Sequence, residues 1–218
     1  MEEEIRHIFL KTKLKKYNII RQLGKGKSGY SYLIEFDNEY SVLKLMHDEP
    51  CAYYTFGENK VKLEVDAHNK LKRYNIPMPK LIWYDSDNNY LVKDFIDGIT
   101  ASELIANNKI TESIIQQLFE MYNLVKNAGL NIDYFPTNFI IKDQKLFYID
   151  YECNPYSPEW NLPNWGLYYW ANSEGFKKYL LTGNSTFINE SQNTGLPIKK
   201  PFEEKVFTWA KKYNTADS

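Results

Sequence analysis

The feature that most constrains the fold is a change of apolar periodicity at Asp97-Gly98. Before it, residues 17–23, 30–36, 39–46, 81–84 and 90–93 read as short strands, rich in alternating, β-branched and aromatic side chains. One helical stretch interrupts them: over residues 58–74, Val61, Val65, Ala67 and Leu71 recur at helical spacing, and Pro77 and Pro79 stop it. After Asp97-Gly98 the pattern turns helical, first over residues 101–107 and then over 111–127, ending before Gly129. Strands and helices that segregate along a chain predict an α+β fold. The expected organisation is an N-terminal lobe, residues 1–95, with a five-stranded antiparallel sheet plus one helix, and a mainly helical C-terminal lobe, residues 96–218. Residues 93–98 would form the hinge, and a cleft between lobes is a usual place for a small ligand.

Composition narrows the class of partner. With 43% hydrophobic and 16% aromatic residues, the 218-residue chain has material for a substantial core. Its 27 basic and 28 acidic residues leave a net charge of −1, so neither nucleic acid nor a membrane surface is an expected partner. Cys51 and Cys153 fit neither a disulfide framework nor a zinc site, and no apolar run of membrane-spanning length occurs; a cytoplasmic location is the expectation. Residues 1–16, acidic and then basic, read as a solvated entry segment.

Three groups of residues carry possible chemistry. Between the first two strands lies Gly24-Lys25-Gly26-Lys27-Ser28-Gly29, a glycine-rich hairpin whose backbone can approach a ligand and turn N–H groups toward phosphate oxygens. The plain alternative is an ordinary hairpin turn; a dinucleotide fold is disfavoured because a strand, not a helix, follows the glycines. In the third strand, Lys44 sits between Leu43 and Leu45, and Glu64 falls mid-helix. Lys44 either points to solvent or is buried against Glu64, and a lysine fixed by a carboxylate binds phosphate well as a point charge. Finally, the stretch from Asn131 to Glu152 holds Asp133 and Asn138 in one short loop and Asp150 at the end of Leu146-Phe147-Tyr148-Ile149-Asp150, which reads as a buried strand. A carboxylate and an asparagine can share Mg²⁺ through oxygen while a second carboxylate receives a hydroxyl proton; turn chemistry alone also accounts for Asx residues in loops.

Taken in order, the glycine hairpin, strand lysine, helix glutamate, hinge, D-x-x-x-x-N loop and strand-end aspartate resemble the protein-kinase-like superfamily over roughly residues 17–180. The resemblance implies a bilobal kinase-like fold and a phosphotransferase using ATP and Mg²⁺. By similarity, Gly24, Gly26 and Gly29 would cover the ATP phosphates, Lys44 would contact the α and β phosphates, and Glu64 would hold Lys44. Asp133 would deprotonate an acceptor hydroxyl, Asn138 and Asp150 would bind Mg²⁺, and the backbone of Asp94 and Ile96 would meet the adenine edge.

The departures bear on the acceptor, which is a protein or a small molecule. Asn131-Ile132-Asp133 replaces His-Arg-Asp, removing the arginine that couples this loop to a phosphorylated activation segment. Phe135 stands where serine/threonine kinases carry lysine, and Asp150-Tyr151-Glu152 resembles the Asp-Phe-Glu of choline-kinase-like enzymes. The Pro77-Met78-Pro79 segment also resembles aminoglycoside and choline phosphotransferases, yet residues 98–131 are too few for their substrate-binding insert. The expected function is therefore an atypical, bacterial-type serine/threonine kinase, with a small-molecule kinase or a catalytically silent ATP-binding module as alternatives. Lys93, at the position that faces adenine in kinases, is a cation whose burial is costly unless paired. Trp160, Trp165 and Trp170 read as core aromatics, helices are expected near residues 174–181 and 202–213, and residues 182–194 read as a polar loop.

Overall fold

In the computed structural model, the structure describes residues 12–49, 59–192 and 194–214. Residues 1–11, Cys51 and Glu58 of the sequence reading lie outside them. The fold is α+β, with a five-stranded antiparallel sheet, two smaller sheets and six α-helices among the described residues. No helix among these residues is long and apolar enough to cross a membrane. The chain divides into two compact units, one drawn from Met1–His68 and Pro79–Ile96, the other from Asn69–Met78 and Asp97–Ser218. The segment Asn69–Met78, assigned by sequence order to the N-terminal lobe, therefore belongs to the second unit.

In the first unit, β1 (Asn18–Lys25), β2 (Gly29–Phe36), β3 (Glu39–Met46), β4 (Leu81–Asp85) and β5 (Tyr90–Asp94) pair in the order β1-β2-β3-β5-β4. The β2–β3 register is set by a two-residue turn, Asp37-Asn38, with both residues at positive φ (54° and 61°), the geometry whose twist matches antiparallel strands. Side chains alternate across β3. Leu43 joins Tyr32, Ile34, Tyr90 and Val92 in one cluster, while Val42 and Lys44 turn to the other face, where the register aligns them with Lys93 and Leu91 of β5. Lys93 is thus buried on the same sheet face as Lys44. The helix α1 (Lys60–Lys72) buries Val61, Val65 and Ala67. One expectation fails at the chain's start: Leu14, in a 3-10 turn over Lys13–Lys16, has 0% exposure and completes the Leu43 cluster. The basic residues around it are solvated, but the segment is anchored by that one apolar side chain.

In the second unit, α2 (Ala101–Ala106) opens with a reciprocal capping box between Thr100 and Glu103, and α3 (Glu112–Asn127) is capped by the Thr111 hydroxyl. The α3 residues Ile115, Leu118, Tyr122 and Val125 bury one face into the main core. A short strand β6 (Ile99–Thr100) pairs with β8 (Phe139–Lys142), which forms a hairpin with β9 (Lys145–Tyr148); β7 (Leu130–Asn131) pairs with β10 (Asn154–Pro155). The strand expected to end at Asp150 stops at Tyr148, leaving Asp150 in irregular backbone.

The aromatic stretch after it becomes helical from Leu162. A π-helical turn, Leu162–Gly166, leads into α4 (Leu167–Ala171). Gly166 is required there, since a Cβ would stand 2.5 Å from the Cβ of Tyr134. Trp170 is a core residue whose Nε1–H donates to the Tyr134 carbonyl at 2.9 Å; Trp165 is half-buried and Trp160, at 38% exposure, is not core. After α5 (Ser173–Thr182), the polar loop contains a 3-10 turn and buries Ile188 and Asn189, the latter accepting a hydrogen bond from the Tyr169 hydroxyl at 2.7 Å.

The last helix, α6 (Glu203–Tyr213), is fastened to the start of α3 by a single carboxylate. Glu112 accepts from Trp209 Nε1 (3.2 Å), Lys212 Nζ (2.8 Å) and the Tyr213 hydroxyl (2.6 Å). The Lys212 and Tyr213 hydrogen bonds hold the Glu112 carboxyl down at about 2. A carboxyl depressed by folding stabilises the native state above its ordinary value of 4.5 and loses that contribution as pH falls toward about 2. Because the group is largely exposed, Glu112→Gln should cost only ~1 kcal/mol, or about 3 °C in melting temperature, at pH 7. The gap between wild type and variant should close on acidification below about pH 4.5, as measured by thermal unfolding across pH.

Candidate functional site

The first unit supplies a glycine turn, a lysine and a glutamate. The turn closes with Gly26 N–H donating to the Gly29 carbonyl (2.9 Å). Gly29 is demanded by packing, for a Cβ there would lie 2.6 Å from the Leu45 carbonyl oxygen. Gly24 and Gly26 are not: a Cβ at Gly24 would meet nothing within 4 Å, one at Gly26 would meet only the Gly29 oxygen at 3.8 Å, and neither residue has positive φ. Glycine at these two positions serves open backbone rather than the fold.

Lys44 and Glu64 form an ion pair, each only 7% exposed. The Ser28 hydroxyl, at the tip of the glycine turn, donates to Glu64 Oε1 at 3.2 Å, and the buried Oε2 has no hydrogen-bond partner among the described residues. His47 braces the turn from the end of β3. Its N–H donates to the Ser28 carbonyl (3.2 Å), and Nδ1 accepts from Glu49 N–H (3.2 Å). That leaves Nε2 to carry the proton it donates to the Gly26 carbonyl (3.1 Å). Of the two residues expected at the adenine edge, Asp94 spends its N–H on the Lys80 carbonyl (2.9 Å), so its amide is already engaged; half-buried Ile96 ends this unit.

The second unit brings Asp133, Asn138 and Asp150 into one local network. Asp133 follows β7, and its Oδ1 accepts the Phe135 N–H at 3.0 Å, which orients the carboxylate. Asn138 ends a 3-10 turn begun by Pro136, and its Nδ2 donates to the Asp133 carbonyl at 3.4 Å. Its carbonyl accepts from Ile149 N–H (2.8 Å), the residue before Asp150. Asp133 N–H donates to the Tyr148 hydroxyl (3.3 Å), and that hydroxyl donates to the Glu152 carbonyl (3.0 Å). Burial, followed by the charges of Asp150, Asp133 and Glu152, pushes the Tyr148 phenol well up. The carboxylates of Asp133 and Asp150 therefore share one neighbourhood. Burial and Asp133 likewise raise the Tyr169 phenol.

Among the described residues no group of three or more His, Cys, Asp or Glu could hold a metal ion. The two residues named for a metal, Asn138 and Asp150, carry oxygen ligands and are linked through the Ile149 N–H to the Asn138 carbonyl. Such a sparse set fits Mg²⁺, which keeps several waters and takes its remaining oxygens from substrate phosphates. Phe135 stacks edge-on against Tyr169 (4.9 Å between ring centres) and lies 5.7 Å from Phe176, so it is part of an aromatic cluster beside the Asp133 loop. Sequence reasoning did not single out Ser28, His47 or Tyr148. Ser28 was visible inside the glycine turn, and Tyr148 as a hydroxyl in an otherwise apolar strand; His47 carried no signal.

Compared with known proteins, the chain matches no family model and no curated sequence.

Breaking the buried pair exposes its cost. Lys44→Ala, which strands Glu64 in the interior, should lower unfolding free energy by about 3 kcal/mol, whereas Lys44→Met combined with Glu64→Leu should recover most of that loss. Urea denaturation of the single and double variants measures both; losses that simply add would show that the two residues do not act as a pair.

Proposed function

We propose that the protein is an ATP- and Mg²⁺-dependent phosphotransferase of protein-kinase-like architecture. The observation that carries this reading is the Lys44–Glu64 pair, buried in the first unit and linked through Ser28 to the glycine turn. A buried ion pair gives little net stability, so a chain that keeps one gains chiefly the placement of a charge. Here the placed charge is an ammonium linked through Glu64 and Ser28 to a turn in which Gly24 and Gly26 leave room beside the backbone for a ligand, a pairing suited to a polyphosphate.

On this reading Lys44 binds the α and β phosphates and Glu64 holds it in place. Gly24, Gly26 and Gly29 cover the phosphates, and the backbone at Asp94 and Ile96 borders the base, with Ile96 carrying the contact because the Asp94 amide is engaged. Asn138 and Asp150 would hold Mg²⁺, which when bound neutralises phosphate charge. Asp133, its carboxylate oriented by the Phe135 amide, accepts the proton of the acceptor hydroxyl. The hydroxyl oxygen bonds to the γ-phosphorus as the bond from that phosphorus to the bridging oxygen breaks, and ADP leaves with the electron pair. The acceptor is a protein serine or threonine, since the segment after Gly98 holds only β6 and the short α2 before α3 and offers no helical insert for a small molecule. A small-molecule hydroxyl is the second reading, favoured by Phe135, which puts an aromatic cluster where protein kinases place a cation.

Mg²⁺ with ATP should raise the melting temperature, by an amount that grows with ligand concentration, and a folded sample without any nucleotide-dependent shift would sink the proposal. Asp133→Asn should retain that shift and lose phosphate transfer by at least about 10²-fold, while Asp150→Asn should weaken the shift itself. Labelled-ATP transfer to generic proteins, to the chain itself and to a panel of hydroxyl metabolites decides the acceptor. Gly24→Ala should leave stability within about 0.5 kcal/mol of wild type yet weaken nucleotide binding; unchanged affinity would remove the glycine turn from the site.

A further inference from the structure

The two carboxylates assigned to chemistry in the second unit stand on different pieces of backbone. Asp133 lies just past the two-residue strand β7, and Asp150 lies past β9, with the whole β8–β9 hairpin between them. Neither sits in a regular element that would fix it. Besides the β7–β10 pairing, two links between the pieces lie next to these residues. One is main chain, from Ile149 N–H to the Asn138 carbonyl at 2.8 Å. The other is the Tyr148 hydroxyl, which accepts from the Asp133 N–H at 3.3 Å and donates to the Glu152 carbonyl at 3.0 Å.

We infer that the Tyr148 hydroxyl is a positioning group that holds Asp133 in register with Asp150; this rests on the phosphotransferase reading above. Its two partners flank the carboxylates: one is the amide of Asp133 itself, the other the carbonyl beyond Asp150. The hydroxyl is fully buried, so water does not compete for either bond. Its direction is fixed from three sides. The Tyr148 N–H donates to the Pro77 carbonyl at 2.9 Å, the backbone is held in β9, and the ring packs 5.2 Å from Phe139, which in turn lies edge-on to Trp170. A phenol held this firmly transmits position. Because Asp133 must meet the acceptor hydroxyl while Asp150 serves the phosphates, a displacement of about 1 Å between them would lower turnover by up to about 10²-fold without removing any reacting group.

Tyr148→Phe removes the hydroxyl and keeps the ring. Wild type and variant are compared by release of labelled phosphate from Mg²⁺-ATP, to water or to an acceptor found in the transfer assay above, and by amide hydrogen exchange at Asp133. The expected result is a kcat lower by about 10- to 100-fold, a KM for ATP within about twofold of wild type, and faster exchange of the Asp133 amide. Placing 3-fluorotyrosine at 148 alone, which keeps the hydroxyl, should retain wild-type kcat. A folded Tyr148→Phe protein with kcat within twofold of wild type overturns the inference, as does one whose KM rises while kcat holds, because the hydroxyl would then serve nucleotide binding. Should the variant fail to fold, an Asp133 amide in wild-type protein that exchanges at its intrinsic rate overturns it as well, and a protected one supports it. Wild-type protein that neither binds Mg²⁺-ADP nor transfers phosphate overturns the phosphotransferase reading and this inference together, which separates that failure from the others.

Discussion

The first unit depends on the ion pair between Lys44 and Glu64. One partner comes from the middle strand of a five-stranded sheet, the other from α1, and both are nearly excluded from water. Desolvating two charges consumes most of what their attraction returns, so the pair is better understood as a fixed geometry than as a source of stability. What it fixes extends further than two residues. Glu64 also receives the Ser28 hydroxyl, and Ser28 and Gly26 are gripped by His47 at the end of β3. The glycine turn is thus held at its tip and at its base, while the backbone near Gly24 is left open.

The second unit meets a different problem with different means. Its three polar residues lie on loops, and loops are positioned only by what they bond to. The Asp133–Asn138 loop is closed on itself, by Phe135 N–H to the Asp133 carboxylate and by the Asn138 amide to the Asp133 carbonyl. The loops are then joined to each other through Ile149 and Tyr148. Beneath them runs a continuous apolar floor in which Phe139, Tyr148, Trp170 and the α3 residues are all buried. A hydrogen bond sets the direction of the Asp133 carboxylate, and packing buries the Tyr148 hydroxyl beside it.

The strands of the first unit were legible because alternation and a β2–β3 turn at Asp37-Asn38 leave little freedom of register. Lys44 and Glu64 were legible as a pair because each was a charge in apolar company, a conflict that only mutual burial resolves. The β8–β9 hairpin was only half visible. Its turn, Asp143-Gln144, has both residues at positive φ (49° and 62°), and glutamine gives no sequence signal for that conformation. The helical run over residues 162–171 has a similarly weak signal, because Pro163 and Gly166 lie within it. In the fold Pro163 sits in the first turn, where its missing N–H costs nothing, and Gly166 admits the Tyr134 side chain. Leu14 went unread because a single apolar residue among lysines has no period, and burial is decided by what lies across the sheet.

On the proposed kinase-like reading, the positions that depart from the usual pattern are each held by specific contacts. Asn131 is buried, and its Nδ2 donates to the Trp160 carbonyl at 2.8 Å, bonding the start of the Asp133 loop to the chain that follows Asp150. Glu152 accepts the Tyr148 hydroxyl on its carbonyl and the Asn154 amide on its carboxylate (3.0 Å). Phe135 is absorbed into the cluster of Tyr169, Phe176 and Tyr179. Phe135 and the Asn131 amide nitrogen are thus engaged inside the unit, while the buried Asn131 Oδ1 has no hydrogen-bond partner among the described residues. On the proposed kinase-like reading, a loop held by contacts of this kind would need no phosphorylated segment to order it. On the proposed reading, control of this protein would therefore rest with the availability of nucleotide and acceptor rather than with the assembly of its Asp133 loop.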